Sequence, residues 1–80
     1  MTTLPTLTGS DKHIQWANHI RREKLKWTEI AVNKMMRDPD IEDKGELTAA
    51  YAKLQQQASA AWWINNRNLD EIGLLMKVEE

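Results

Sequence analysis

Apolar residues recur along positions 11–37 with the spacing of a helix and not of a strand. One stripe holds Trp16, Ala17, Ile20, Trp27, Ile30, Ala31 and Met35. A second holds Ile14, Leu25, Val32 and Met36, with Asn18, Arg21 and Thr28 interleaved. Asp11, Gln15, Arg22, Lys26, Glu29 and Asn33 form the one narrow polar wedge. No Gly or Pro interrupts the segment before Pro39, which predicts a single helix about 40 Å long at 1.5 Å per residue. Ser10 is the expected N-cap, because its hydroxyl can accept from the free N–H groups of the first turn, and Thr8 is the rival. An ordinary helical hairpin needs one apolar stripe. Two stripes predict a helix covered on two sides, with Ile14, Leu25, Val32 and Met36 forming a seam against a second copy of the chain.

The stretch "RDPDIEDKG" (37–45) reads as an acidic turn, since Pro39 cannot continue a helix and aspartates favour turns and caps. A second helix is expected from about Gly45 to the mid-sixties. Its core stripe is Leu47, Ala50, Tyr51, Leu54, Ala58, Ala61 and Trp62; a second stripe is Ala49, Ala52, Gln56, Ala60 and Trp63. Neighbouring side chains on a helix diverge by about 100°, so Trp62 and Trp63 cannot share a face. This wheel puts Trp62 in the core and Trp63 on an alanine-lined face open to a neighbour. Ser59 offers the alternative of a break, capping a new short helix that contains "WWINNR". Asn68 with Glu71 resembles a capping pair for a last helix over 69–77, presenting Ile72, Leu75 and Met76 and weakened by Gly73. Residues 1–7 lack periodicity and contain Pro5, which predicts a flexible tail before a single domain over 8–80. The expected fold is all-α: a long helix packed antiparallel on a second, a short C-terminal helix, and self-association into a bundle.

Eighty residues lie near the size at which one core is only marginally stabilising, and without cysteine no disulfide can reinforce it. The net charge of −1 hides a polarity. Residues 11–37 carry seven Lys/Arg against three Asp/Glu, and residues 38–80 carry four against nine. Such a chain suits charge-complementary docking or self-association better than nucleic-acid binding, which usually shows a basic excess. No apolar run reaches the length of a membrane span and the polar N-terminus is no signal peptide, so the expected setting is soluble and cytoplasmic. His13 and His19, six residues apart, do not share a helix face at ligand spacing, and "DPDIEDKGE" departs from calcium-loop spacing. No metal or cofactor is therefore expected. No nucleophile–base pair, carboxylate dyad or phosphate-cradling glycine loop is recognisable, which points away from an enzyme. Arg21–Arg22 reads as a solvated pair.

Candidate binding chemistry lies at the two ends of the hairpin. "TGSDK" at the first helix start offers free N–H groups, the Ser10 hydroxyl and Lys12. A chain folded back near residue 41 sets positions in the sixties opposite positions in the teens. Ser10, Lys12, Trp63, Asn66 and Arg67 would then form a cluster suited to a phosphate-bearing ligand or an acidic partner loop. The plainer alternative is that Arg67 closes off a helix end and ties the termini together.

The stretches "LTGSDKHIQWANHIR" (7–21) and "AAWWINNR" (60–67) together resemble a small domain of phage and mobile-element proteins. Its pattern is roughly L-T-G-S-x-K-Q-I-x-W-A-x-x-I-R followed by A-x-W-W-I-D-N-R. Leu7, Thr8, Gly9, Ser10, Lys12, Ile14, Trp16, Ala17, Ile20 and Arg21 match the first part; Ala60, Trp62, Trp63, Ile64, Asn66 and Arg67 match the second. His13 stands in place of glutamine and Asn65 in place of aspartate, so this chain has no carboxylate at 65. The resemblance implies a phage setting. With it come two roles: an inhibitor of host defence acting by protein–protein contact, of the anti-CRISPR kind, or a sponge for a signalling nucleotide. The expected function is accordingly a non-enzymatic helical binding protein, homo-oligomeric, with a host protein as partner. The alternative is sequestration of a phosphate-bearing small molecule.

Overall fold

The computed structural model describes residues 4–80 as four helices, with no strand among them. The first, α1 (Asp11–Met36), starts where Ser10 turns extended (φ −73°, ψ 156°) and its hydroxyl accepts the His13 N–H at 3.4 Å. Asp11 sits at the positive end of the helix dipole and Lys34 at the negative end. Its 26 residues run about 39 Å and set the 43 Å long axis of the molecule. Pro39 ends the helix by lacking an N–H and disfavouring helical geometry at Asp38. The aspartates of this turn serve the backbone: Asp38 accepts the Asp40 N–H at 2.9 Å, and Asp43 caps α2 (Lys44–Gln55) by accepting the Glu46 N–H at 3.0 Å. The Thr48 hydroxyl lies 3.7 Å from Met36 Sδ, whereas Tyr51 and Gln55 share a groove with residues between Asn18 and Glu29. The second helix thus runs back antiparallel along the first.

That helix stops at Gln55, so the break at Ser59 is the alternative the chain adopts. Ser59 caps α3 (Ala60–Asn65) by accepting the Trp62 N–H at 3.2 Å. Gln57 braces the break twice: its side-chain Oε1 accepts the Ser59 N–H at 3.2 Å and its carbonyl accepts the Trp63 indole N–H at 2.9 Å. A break resets the helical phase. Ala60 and Trp63 are fully buried, Trp62 is half-buried and Ala61 is exposed. The wheel drawn through 47–63 as one helix had these faces reversed. The two indoles meet edge to face, centroids 5.1 Å apart.

The last helix, α4 (Glu71–Val78), is capped by Asp70, which accepts the Gly73 N–H at 2.8 Å, and not by Asn68. It packs on α2 and α1, burying Leu74 and Leu75 and leaving Ile72 and Met76 exposed. Of the expected Ile72, Leu75 and Met76 face, only Leu75 is buried, and Ile72 and Met76 lie outside because Leu74, Leu75 and Val78 form the competing i, i+1, i+4 stripe. Lys24 Nζ donates to the Leu69 carbonyl at 2.9 Å and fixes the entry to this helix.

Part of the segment expected as a tail packs on the core. Residues 1–3 of it lie outside the described residues, but Leu7 is buried and Leu4 packs at the core edge. Thr8 forms an isolated parallel bridge with Ser59: its N–H donates to Ala58 at 2.8 Å and its carbonyl accepts the Ala60 N–H at 3.0 Å. Gly9 makes the turn from this strap into α1 at φ +144°, with Ala60 Cβ only 3.2 Å from where a Gly9 Cβ would stand.

The expected seam between chains is occupied within the chain. Leu25 and Val32 belong to the core with Ala17 and Ile20, Ile14 is half-buried against it, and only Met36 is exposed at the rim. The short helices and the strap supply the cover that a second copy was expected to give. Among the described residues, no helix is long and apolar enough to cross a membrane.

Three substitutions test this architecture by urea unfolding. Trp63→Ala should cost about 3–5 kcal/mol, as for a large core ring, and Trp62→Ala clearly less. Equal losses would show that the phase reset is wrong. Gly9→Ala should cost more than about 1 kcal/mol, because it combines positive φ with a crowded Cβ.

Candidate interaction surface

With Ala17, Ile20, Leu25, Thr28 and Val32 turned inward, the opposite face of α1 is left without cover. Trp16 is 47% exposed, Trp27 51% and Ile30 41%. Eleven residues are close to three full turns, so the two indoles project from one face about 16 Å apart. Each carries a cation. The Arg67 guanidinium lies over Trp16 at 5.1 Å from the ring centroid, and Lys26 Nζ lies 5.6 Å from the Trp27 ring. Cations over indole faces are held by the ring quadrupole and by the apolar contact of their stems. Trp16, Trp27 and Ile30 were expected to face inward as one of two covered stripes. These three are instead left uncovered, while Ala17 and Ile20 of the same stripe are buried as expected.

The residues proposed from sequence for a single binding cluster part company. Arg67 does reach the first helix, through Trp16, so the two recognised stretches meet as the hairpin geometry requires. Ser10 is committed to the α1 cap. Lys12 is exposed, and neither of the cation–ring contacts is its own. Trp63 is wholly buried and cannot line a surface site. Asn66 donates from Nδ2 to the Trp62 carbonyl at 2.8 Å, and Arg67 donates from Nη1 to the Ile64 carbonyl at 2.7 Å. Both side chains thus add a second donor to carbonyls in the last turn of α3, which also accept the backbone N–H groups of Asn66 and Arg67. "WWINNR" is chiefly a self-capping motif that docks α3 on α1. Arg67 closes the end of α3 and adds the contact with Trp16 of α1.

Arg21 departs furthest from expectation. It is not a solvated partner of Arg22 but 9% exposed, donating to the Pro5 carbonyl at 2.7 Å and to Asn18 Oδ1 at 3.1 Å. Its position among Leu25, Thr28 and Val32 on the wheel was the available signal: it interrupts the stripe that proves to be the core. Burial pulls its pKa below the ordinary arginine value. The guanidinium nonetheless stays charged at neutral pH.

No family model, curated protein or solved structure matches the chain. The likeness to phage and mobile-element domains therefore rests on the two sequence stretches alone.

Arg67→Ala should remove a contact worth about 0.5–1 kcal/mol at an exposed site, read in urea unfolding, and should shift Trp16 emission to the red. Arg67→Lys should recover little of either, because an ammonium lacks the plane that stacks on the indole. Unchanged emission in both variants would mean that the stack does not form in solution.

Proposed function

We propose that this chain is a non-catalytic protein-binding module that docks through the outer face of α1, with Trp16, Trp27 and Ile30 as its anchors. One observation carries the reading. A chain that fully buries Trp63, Leu54 and Leu74 leaves two tryptophans half in water on one helix face. Exposing half of a 150–250 Å² ring forgoes about 2.5 kcal/mol of burial per residue. For a domain this small that is a large fraction of typical stability. Aromatic anchors aligned on a rigid helix are the usual centre of a protein interface, where tryptophan and arginine dominate the energetics.

The charge pattern says what partner fits. The anchors stand in the basic segment, 11–37, and Lys26 and Arg67 flank the two indoles. A partner surface with apolar pockets and an acidic rim is complementary to it. The phage setting implied by the sequence resemblance makes a host protein the partner and inhibition the consequence of masking its surface. Residues 38–80 carry the opposite charge, so a second copy is the other body that fits.

Trp27→Glu is the decisive variant. Its unfolding free energy in urea should fall by about 1–2 kcal/mol, less than for Trp63→Ala, because half of the indole already stands in water. Affinity capture from host cells with the wild-type chain should retain a stoichiometric protein that the variant loses. Light scattering of the free protein separates the two occupants: a 9.3 kDa species leaves the face to a different protein, and a dimer abolished by Trp27→Glu gives it to a second copy. A variant that unfolds, or that keeps every partner of the wild type and the same mass, would overturn the assignment.

A further inference from the structure

On the other side of α1 lies a groove of about 790 Å³, walled by that helix, by α2 and by Leu4 of the N-terminal strap. Its volume falls within the roughly 300–1,000 Å³ typical of small-ligand clefts. Three cations line it, Arg21, Arg22 and Lys26, against the single carboxylate of Glu29. Arg21 is the telling member. Both of its hydrogen bonds go to neutral acceptors, and among the described residues it forms no ion pair. Two donor atoms of a five-donor fork are engaged. A cation held out of water without a counter-ion is costly, and an anion entering the groove would relieve that cost.

The rest of the lining describes what the anion is attached to. Leu4 and Leu25 give an apolar wall, and the half-buried Tyr51 gives an aromatic one. Burial, and then the nearby Glu29 carboxylate, push the Tyr51 phenol above its ordinary pKa, so at neutral pH it remains a hydroxyl donor. Asn18 and Gln55 add amides, which offer both donors and acceptors to a heterocycle edge. We propose that this groove binds a small organic phosphate with a planar body, of the nucleoside monophosphate class. Arg21 and Arg22 take the phosphate, and Tyr51 with the leucines takes the base. The site shares Lys26 with the tryptophan face but no other residue, lies apart from Ser10 and Lys12, and stands whether or not that face docks a protein.

The test is a titration of the isotope-labelled full chain with adenosine monophosphate, followed by backbone and arginine side-chain NMR. Saturable shifts are expected at Arg21, Arg22, Tyr51 and Gln55, with no comparable change at Trp16 or Trp27. Adenosine and inorganic phosphate, each holding one half of the ligand, should bind at least tenfold more weakly. Arg22 is exposed and makes no hydrogen bond or ion pair among the described residues, so Arg22→Gln should fold normally and weaken the nucleotide at least tenfold. Lys26→Gln should weaken it less, because Lys26 is shared with Trp27. The proposal fails if adenosine or phosphate alone binds as well as the monophosphate. It fails equally if the shifts map outside the groove, or if Arg22→Gln binds like the wild type.

Discussion

The hydrogen bond from the Trp63 indole to the Gln57 carbonyl, 2.9 Å long, holds the arrangement on which the rest of the fold depends. It fastens the largest buried side chain to the break between α2 and α3. The bond itself contributes on the order of 1 kcal/mol. Its consequence is larger, because it lets an indole be buried without orphaning its N–H. With Trp63 so placed, α3 takes the phase that turns Ala60 toward Gly9, and Ser59 is free to pair with Thr8. A continuous helix through 56–59 would withdraw all three contacts together.

That same choice decides which side of α1 is core. Once α3, α4 and the strap are gathered against Ala17, Arg21, Leu25, Thr28 and Val32, the stripe of Trp16, Trp27 and Ile30 has nothing left to cover it. Polar groups caught on the inner side are satisfied locally: Thr28 donates to the Lys24 carbonyl at 2.6 Å, and no buried side-chain donor or acceptor among the described residues lacks a partner. Hydrogen bonding is thus complete where charge neutralisation is not. Arg21 is the case in point.

How much of this could be read from the sequence follows from what a helical wheel can see. The span of α1, its Ser10 cap and the stop before Pro39 depend on residues adjacent in sequence, and they were legible. So was the approach of the sixties to the teens, which needs only a turn near residue 41. The division of the two apolar stripes on α1 was not, because the core cuts across them: it takes Ala17 and Ile20 from the first with Leu25 and Val32 from the second, and leaves Trp16, Trp27 and Ile30 outside. The phases of α3 and α4 were hidden for a related reason: a break of a few residues rotates everything after it. Burial of Arg21 depended on Pro5, sixteen positions earlier, in a segment with no periodic signal. In the candidate cluster, Trp63 is buried and Ser10, Asn66 and Arg67 bond helix ends, which the sequence hides because capping needs the same residue types as binding.

The bridge between Thr8 and Ser59 also bears on the order in which the molecule assembles. Its partners are about fifty positions apart, and closing a loop of that length costs about 3.5 kcal/mol of chain entropy plus a constant. The α1–α2 hairpin closes a far shorter loop, so loop-closure entropy favours its forming before the strap docks. The strap is also a wall of the groove, through Leu4. Attachment of residues 4–8 and occupancy of the groove are therefore thermodynamically linked: whatever fills the one tightens the other by the same free energy.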